Sequence, residues 1–117
     1  MEKIINFKGE DLFIDDAGFH YKEEDCKGGV DKDQLETAKL FIDLMAKKRN
    51  SINKYDSSYG LKHKAENFGG KLNSEYDINT VSYVSNGALI LAAYILGFTV
   101  FTPPGVLLNC YFNLTIR

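Results

Sequence analysis

One stretch constrains this chain more than any other: from Ala88 to Phe101, fourteen residues run without a single charged side chain. A bilayer span takes about 20 apolar residues, and this run is shorter and carries Gly97, so it reads as a buried core segment. Leu89, Ile90, Ala93 and Ile95 or Leu96 recur at helical spacing, and Ser85 stands where a helix N-cap belongs. The pattern predicts a helix from Asn86 to about Leu96, closed by Gly97 in a left-handed terminating position. With 117 residues, 44% of them apolar, the chain has material for one ordinary core, so residues 1–117 read as a single domain.

Charge divides that domain into three parts. Residues 1–36 carry eleven acids and five bases, residues 37–71 three acids and eight bases, and residues 72–117 two acids and one base. The organisation is therefore an acidic strand and loop region over 1–30, a basic helical region over 31–71, and an apolar helix with C-terminal strands over 72–117. The net charge of -2 argues against a general polyanion binder. Met1–Lys8 lacks the apolar core of a secretory signal, so an intracellular, cytoplasmic protein is expected.

Short apolar clusters around Ile4, Leu12–Ile14 and Phe19, separated by Gly9 and by Asp15–Gly18, suit antiparallel strands. Leu35, Ala38, Phe41, Ile42 and Met45 then mark one face of a helix. Asp33 with Glu36 would cap its start, Lys47, Lys48 and Arg49 would occupy its last turn, and it would end near Asn50. A second helix should begin after Ser57 or Ser58, bury Leu61, Ala65 and Phe68, and stop at Gly69 and Gly70. Pro103, Pro104 and Gly105 turn the chain, and Leu108–Ile116 can return as a strand with Cys110, Phe112 and Leu114 on one side. The expected class is α+β, with about three helices and short antiparallel strands at both ends of the chain.

On the second helix Tyr59, Lys62, His63 and Glu66 share a side, because residues three and four apart are neighbours. A phenol, an ammonium, an imidazole and a carboxylate together suit a binding surface or acid and base chemistry. A solvated face with a Lys62–Glu66 pair worth a few tenths of a kcal/mol is the alternative. Asp15, Asp16, Glu23, Glu24 and Asp25 form an acidic front fit to meet a basic surface on a partner. Lys47, Lys48, Arg49, Lys54, Lys62, Lys64 and Lys71, interleaved with Tyr55 and Tyr59, suit a nucleic-acid backbone instead. The apolar helix offers no Arg or Lys to read base edges. Nucleotide-binding and hydrolase motifs are absent from the sequence, and no cofactor is expected. His20, Cys26, His63 and Cys110 have no ligand spacing, so no metal site is expected and both cysteines should be free thiols.

Two stretches, SSYGLKHKAE at Ser57–Glu66 and YVSNGALILAAYILGF at Tyr83–Phe98, are followed by NCYFN at Asn109–Asn113. Together they resemble a group of small uncharacterised proteins of phages, plasmids and other mobile elements, over roughly residues 52–113. The resemblance implies an accessory protein that inhibits host defence in the manner of an anti-CRISPR, by binding a nuclease, a CRISPR effector or its nucleic acid in the host cell. It also implies that Tyr59, Lys62, His63 and Glu66 of the first stretch and Tyr83, Ser85 and Asn86 of the second share one site. Ser85 and Asn86 open a helix, where free N–H groups favour an anion beside Lys62; capping alone would explain Ser85 equally well. A homodimer through Val106, Leu107 and Leu108 remains open, as does a small enzyme built on Lys62, His63 and Glu66.

Overall fold

A computed structural model describes residues 2–117 and gives the α+β class expected. The uncharged run forms helix α3, Asn86–Ile95, in which every residue from Asn86 to Ala93 is buried. Ser85 Oγ accepts the Ala88 N–H as the cap, and Gly97 follows the helix with φ 91°.

Two small antiparallel sheets and two further helices cover α3. The first sheet holds β1 (Glu2–Ile5), β2 (Asp11–Asp15) and β3 (Gly18–His20) in that order, with Ile4 opposite Leu12 and Ile14 opposite Phe19. Those four side chains are buried against the helix layer. The second sheet has the order β4 (Ala46–Asn53), β6 (Tyr111–Ile116), β5 (Val100–Phe101). Helices α1 (Lys32–Met45) and α2 (Ser58–Tyr76) pack on α3 and on each other. One core cluster takes side chains from both sheets and all three helices. Among the described residues, no helix is long and apolar enough to cross a membrane.

Three expectations are corrected. The first helix is capped by Asp31, whose carboxylate accepts the Gln34 N–H, so Asp33 lies inside the first turn. It ends at Met45, and Ala46–Asn53 forms β4 rather than a last helical turn. The C-terminal strand decides this: Ala46 pairs with Ile116, Lys47 with Thr115 and Lys48 with Leu114, which satisfies backbone groups that β6 would otherwise leave open. A bulge between Lys48 and Asn53 shifts the register, and Asn53 closes it by donating to the Leu114 carbonyl at 3.1 Å.

The third correction concerns Gly69 and Gly70, through which α2 continues to Tyr76. A side chain at Gly69 would collide with the Val81 carbonyl and lie 2.7 Å from Thr37 Cγ2, so this glycine marks a close approach, not a stop. Gly70 is different, since an added Cβ there meets only Ser82 Cβ at an ordinary 3.5 Å. Substituting these neighbours should therefore have opposite signs. Gly69→Ala is expected to cost about 1–3 kcal/mol through overpacking, and Gly70→Ala to gain up to about 1 kcal/mol from helix propensity. Urea unfolding of the two variants checks this, and equal effects would refute the close-packing account.

Candidate functional site

Helix α2 sets the first half of the site. Ser57 Oγ caps it by accepting the Gly60 N–H, and the buried Ser58 fastens its start to the strand side: Ser58 N–H donates to the Cys110 carbonyl at 2.8 Å. Spacing then carries Tyr59, Lys62, His63 and Glu66 along one side, as expected. Lys62 is only 6% exposed, however, so it does not belong to a solvated face. Its ammonium lies 3.2 Å from Glu66 Oε2, 4.8 Å from the centre of the Tyr83 ring and 5.6 Å from that of Tyr59. A desolvated cation between two aromatic rings gains about 2 kcal/mol from such contacts.

Glu66 is the hub behind it. Oε2 accepts from Lys62 Nζ and from the Val84 N–H, and Oε1 lies 2.8 Å from His63 Nδ1. Burial alone would raise the Glu66 carboxyl, but these bonds and the Lys62 charge hold it below the ordinary carboxylate value. His63 itself is exposed, and its ring stands perpendicular to that of Tyr59 with centroids 4.7 Å apart.

The start of α3 sets the second half. Ser85 is used as a cap, its own N–H donating to Gln34 Oε1, and the Gly87 N–H donates to the Asp16 carbonyl. The N–H groups of Gly87 and Ala88 are thus already taken, which leaves the helix terminus little capacity for an anion. Gly87 is required here, because any side chain would strike the Asp15 carbonyl. Asn86, 5% exposed, holds Nδ2 within hydrogen-bond distance of three acceptors, the carbonyls of Ala17 (3.0 Å) and Leu108 (2.9 Å) and Asn109 Oδ1 (2.8 Å), which share its two N–H groups. Its Oδ1 is left with no partner, the one such buried side-chain atom among the described residues. Leu108 adds strain: its φ is 74°, a left-handed value held by paired 3.3 Å backbone bonds to Phe19 and by the Asn86 amide.

These groups meet around a pocket of about 360 Å³, walled by the Asp16–Ala17 turn, Tyr59 and Lys62 of α2, Tyr83 and Asn86, and Leu108–Asn109. Hollows of about 440 and 520 Å³ lie along α1 and the 78–83 segment, but neither holds an unsatisfied buried polar atom. The smaller pocket is therefore the candidate site. Of the expected site residues it gathers Tyr59, Lys62, Tyr83 and Asn86 directly. Glu66 and His63 stand behind Lys62, and Ser85 acts as a cap. Asp16, Leu108 and Asn109 join the site as well: Asn109 has a signal in NCYFN, whereas the Asp16 and Leu108 contributions arise from turns that only the fold brings near α3.

Of the acidic front, Asp16, Glu23, Glu24 and Asp25 are exposed, the last three on one 3-10 turn. Asp15 is not partner-facing. It is buried and its carboxylate accepts from the N–H groups of Ala17, Gly18 and Lys27 and pairs with His20 Nε2 at 2.9 Å. Nor are His20 and Cys26 scattered, since the fold brings their ligand atoms and that of Asp15 within 4.8 Å of one another. The bases Lys47 and Lys48 are exposed on β4, an edge strand paired only with β6. No protein-family model matches the chain, and no curated protein or solved structure matches it either.

The Glu66 hub has a pH signature. A carboxyl whose folded value lies below its unfolded value of 4.5 stabilises the fold at neutral pH and loses that contribution as pH falls below 4.5. Glu66→Gln should cost about 1.5–3 kcal/mol at pH 7, the range for a hydrogen bond to a charged group. The gap to the parent should close in acid. Urea titrations at several pH values measure it; a gap independent of pH would show that the charge plays no part.

Proposed function

We propose that this chain is a small interaction protein that inhibits a partner by occupying a basic, nucleic-acid-handling surface, and that the pocket beside Lys62 receives one cationic planar side chain of that partner. The observation that carries the reading is a pocket lined by Asn86, whose buried Oδ1 has no partner, by the exposed Asp16 and by two exposed tyrosines. An acceptor, a carboxylate and aromatic faces are together what a guanidinium uses. The Lys62 charge is met by Glu66 from behind. Exposed Glu23, Glu24 and Asp25 extend the negative surface and favour fast, salt-sensitive association. The resemblance to small proteins of phages and plasmids supports a host defence nuclease or CRISPR effector as that partner, met in the host cytoplasm.

A second reading, nucleic-acid binding through the basic middle, has one specific observation in its favour. Lys54 of that middle lies 5.4 Å from the centre of the Phe101 ring, which packs tilted against Phe7 at 4.5 Å with Lys8 5.5 Å from the Phe7 ring, a mix of aromatic and basic groups found in base-stacking surfaces. An enzyme built on Lys62, His63 and Glu66 has less support, because both Glu66 oxygens are engaged and His63 lies outside the pocket.

Capture from host lysate, with and without nuclease treatment, separates these readings when run on charge variants. Asp16→Lys and Glu24→Lys should each leave melting within about 0.5 kcal/mol of the parent. Asp16→Lys should weaken capture by well over 1 kcal/mol, and Glu24→Lys should mainly slow association. Lys47→Glu with Lys48→Glu should change little. The reverse ranking, with nuclease-sensitive capture, would replace this reading by the second.

A further inference from the structure

The turn that walls the pocket carries a cluster that the proposed binding role does not use. We propose that Asp15, His20 and Cys26 form a three-ligand site for a divalent transition metal of the zinc class, with a fourth position open to solvent or to an incoming ligand.

The donors are one carboxylate oxygen, one imidazole nitrogen and one thiol sulfur, the mixed set that suits zinc. They are built in, not merely near one another. Asp15 Oδ1 is fixed by the N–H groups of Ala17 and Gly18, and Oδ2 by the Lys27 N–H at 3.0 Å, so the bond from Lys27 holds the neighbouring Cys26 against the turn. The β2–β3 pairing sets Phe13 opposite His20, which brings the imidazole Nε2 to 2.9 Å from Asp15 Oδ2. Two ligands each about 2.0–2.1 Å from a tetrahedral ion stand roughly 3.3 Å apart, so this pair needs to open by only a few tenths of an ångström. All three ligand atoms lie within 4.8 Å, and the loop carrying Cys26 closes the remainder.

The field at the site favours a cation. Cys26 directly follows the 3-10 turn that carries the exposed carboxylates of Glu23, Glu24 and Asp25, so negative charge surrounds a cation held there. On binding, the thiol proton passes to solvent as the sulfur–metal bond forms. The metal would replace the bond between His20 Nε2 and Asp15 Oδ2, so the Nε2 proton also leaves to solvent and the bound neutral imidazole keeps its one proton on Nδ1. The Lys27 and Gly18 N–H groups continue to orient the carboxylate as outer-shell donors. Occupancy would fasten residues 22–27 to the Asp15–Gly18 turn, whose Asp16 and Ala17 line the pocket.

The test is a titration of the reduced full chain with Co(II), followed by Zn(II). One equivalent of Co(II) should bind with a thiolate-to-metal charge-transfer band and tetrahedral visible absorption, Zn(II) should displace it, and Zn(II) should raise Tm. Cys26→Ser should melt like the parent without metal yet lose the charge-transfer band. His20→Ala should bind at least tenfold more weakly, and His63→Ala should bind as the parent does. Failure of the parent to take up one equivalent overturns the proposal. So does a charge-transfer band that survives in Cys26→Ser, or equal affinity in His20→Ala. Because binding of a protein partner is not read in this experiment, its failure leaves the proposed function untouched.

Discussion

The burial of α3 on every side governs the arrangement of the other elements. A helix with no charged side chain has no face to give to water, and each large side chain it hides contributes about 1.5–3 kcal/mol. Cover is therefore needed from several directions. It comes from β1–β3 on one side, from α1 and α2 on another, and from β5 near the far end. Small residues allow the close approaches: Gly87 under the Asp15 carbonyl, and Gly69 under Val81.

This packing forces an irregular segment, residues 77–85, to cross α1 and α2 before entering α3. Its backbone polar groups find side-chain partners rather than a strand. Thr37 Oγ1 accepts the Val81 N–H, Glu66 that of Val84 and Gln34 that of Ser85, while Thr80 donates to the Gly69 carbonyl. Such bonds answer the requirement that buried N–H and C=O groups be paired. They also place Tyr83 over Lys62 and Asn86 in the wall of the pocket. The polar residues of α2 thus serve the fold and the site at once: Glu66 straps the segment down and neutralises the buried lysine. Removing either partner of that pair exposes the other to an uncompensated charge.

The acidic residues divide in the same way. Asp15 spends its carboxylate on the turn between β2 and β3, whereas Asp16, one position on, is exposed and edges the pocket. Adjacent residues of identical chemistry acquire separate roles because Asp15 ends β2 with its carboxylate turned onto the backbone of the turn, while Asp16 lies in that turn itself.

Local pattern determined much of the architecture. Helical periodicity placed α3 and the burial of its face, capping chemistry marked two helix starts, at Ser57 or Ser58 and at Ser85, and alternation set Phe112 and Leu114 on the inner side of the last strand, which begins at Tyr111 rather than Leu108 and leaves the buried Cys110 just ahead of it. Properties that depend on neighbours within a few residues are legible in this way. Tertiary contacts decided the rest. Ala46–Asn53 became a strand because β6 offered unpaired backbone groups across more than fifty residues of chain, and α2 ran through two glycines because Val81 packs on one of them. The alignment of Tyr59, Lys62, His63 and Glu66 was written in their spacing, but the burial of Lys62 required Tyr83 from a distant segment. The orphaned Asn86 carbonyl and the convergence of Asp15, His20 and Cys26 had no signature in the sequence, since each arises from turns folding onto α3 or onto one another, and spacing along the chain carries no record of such approach.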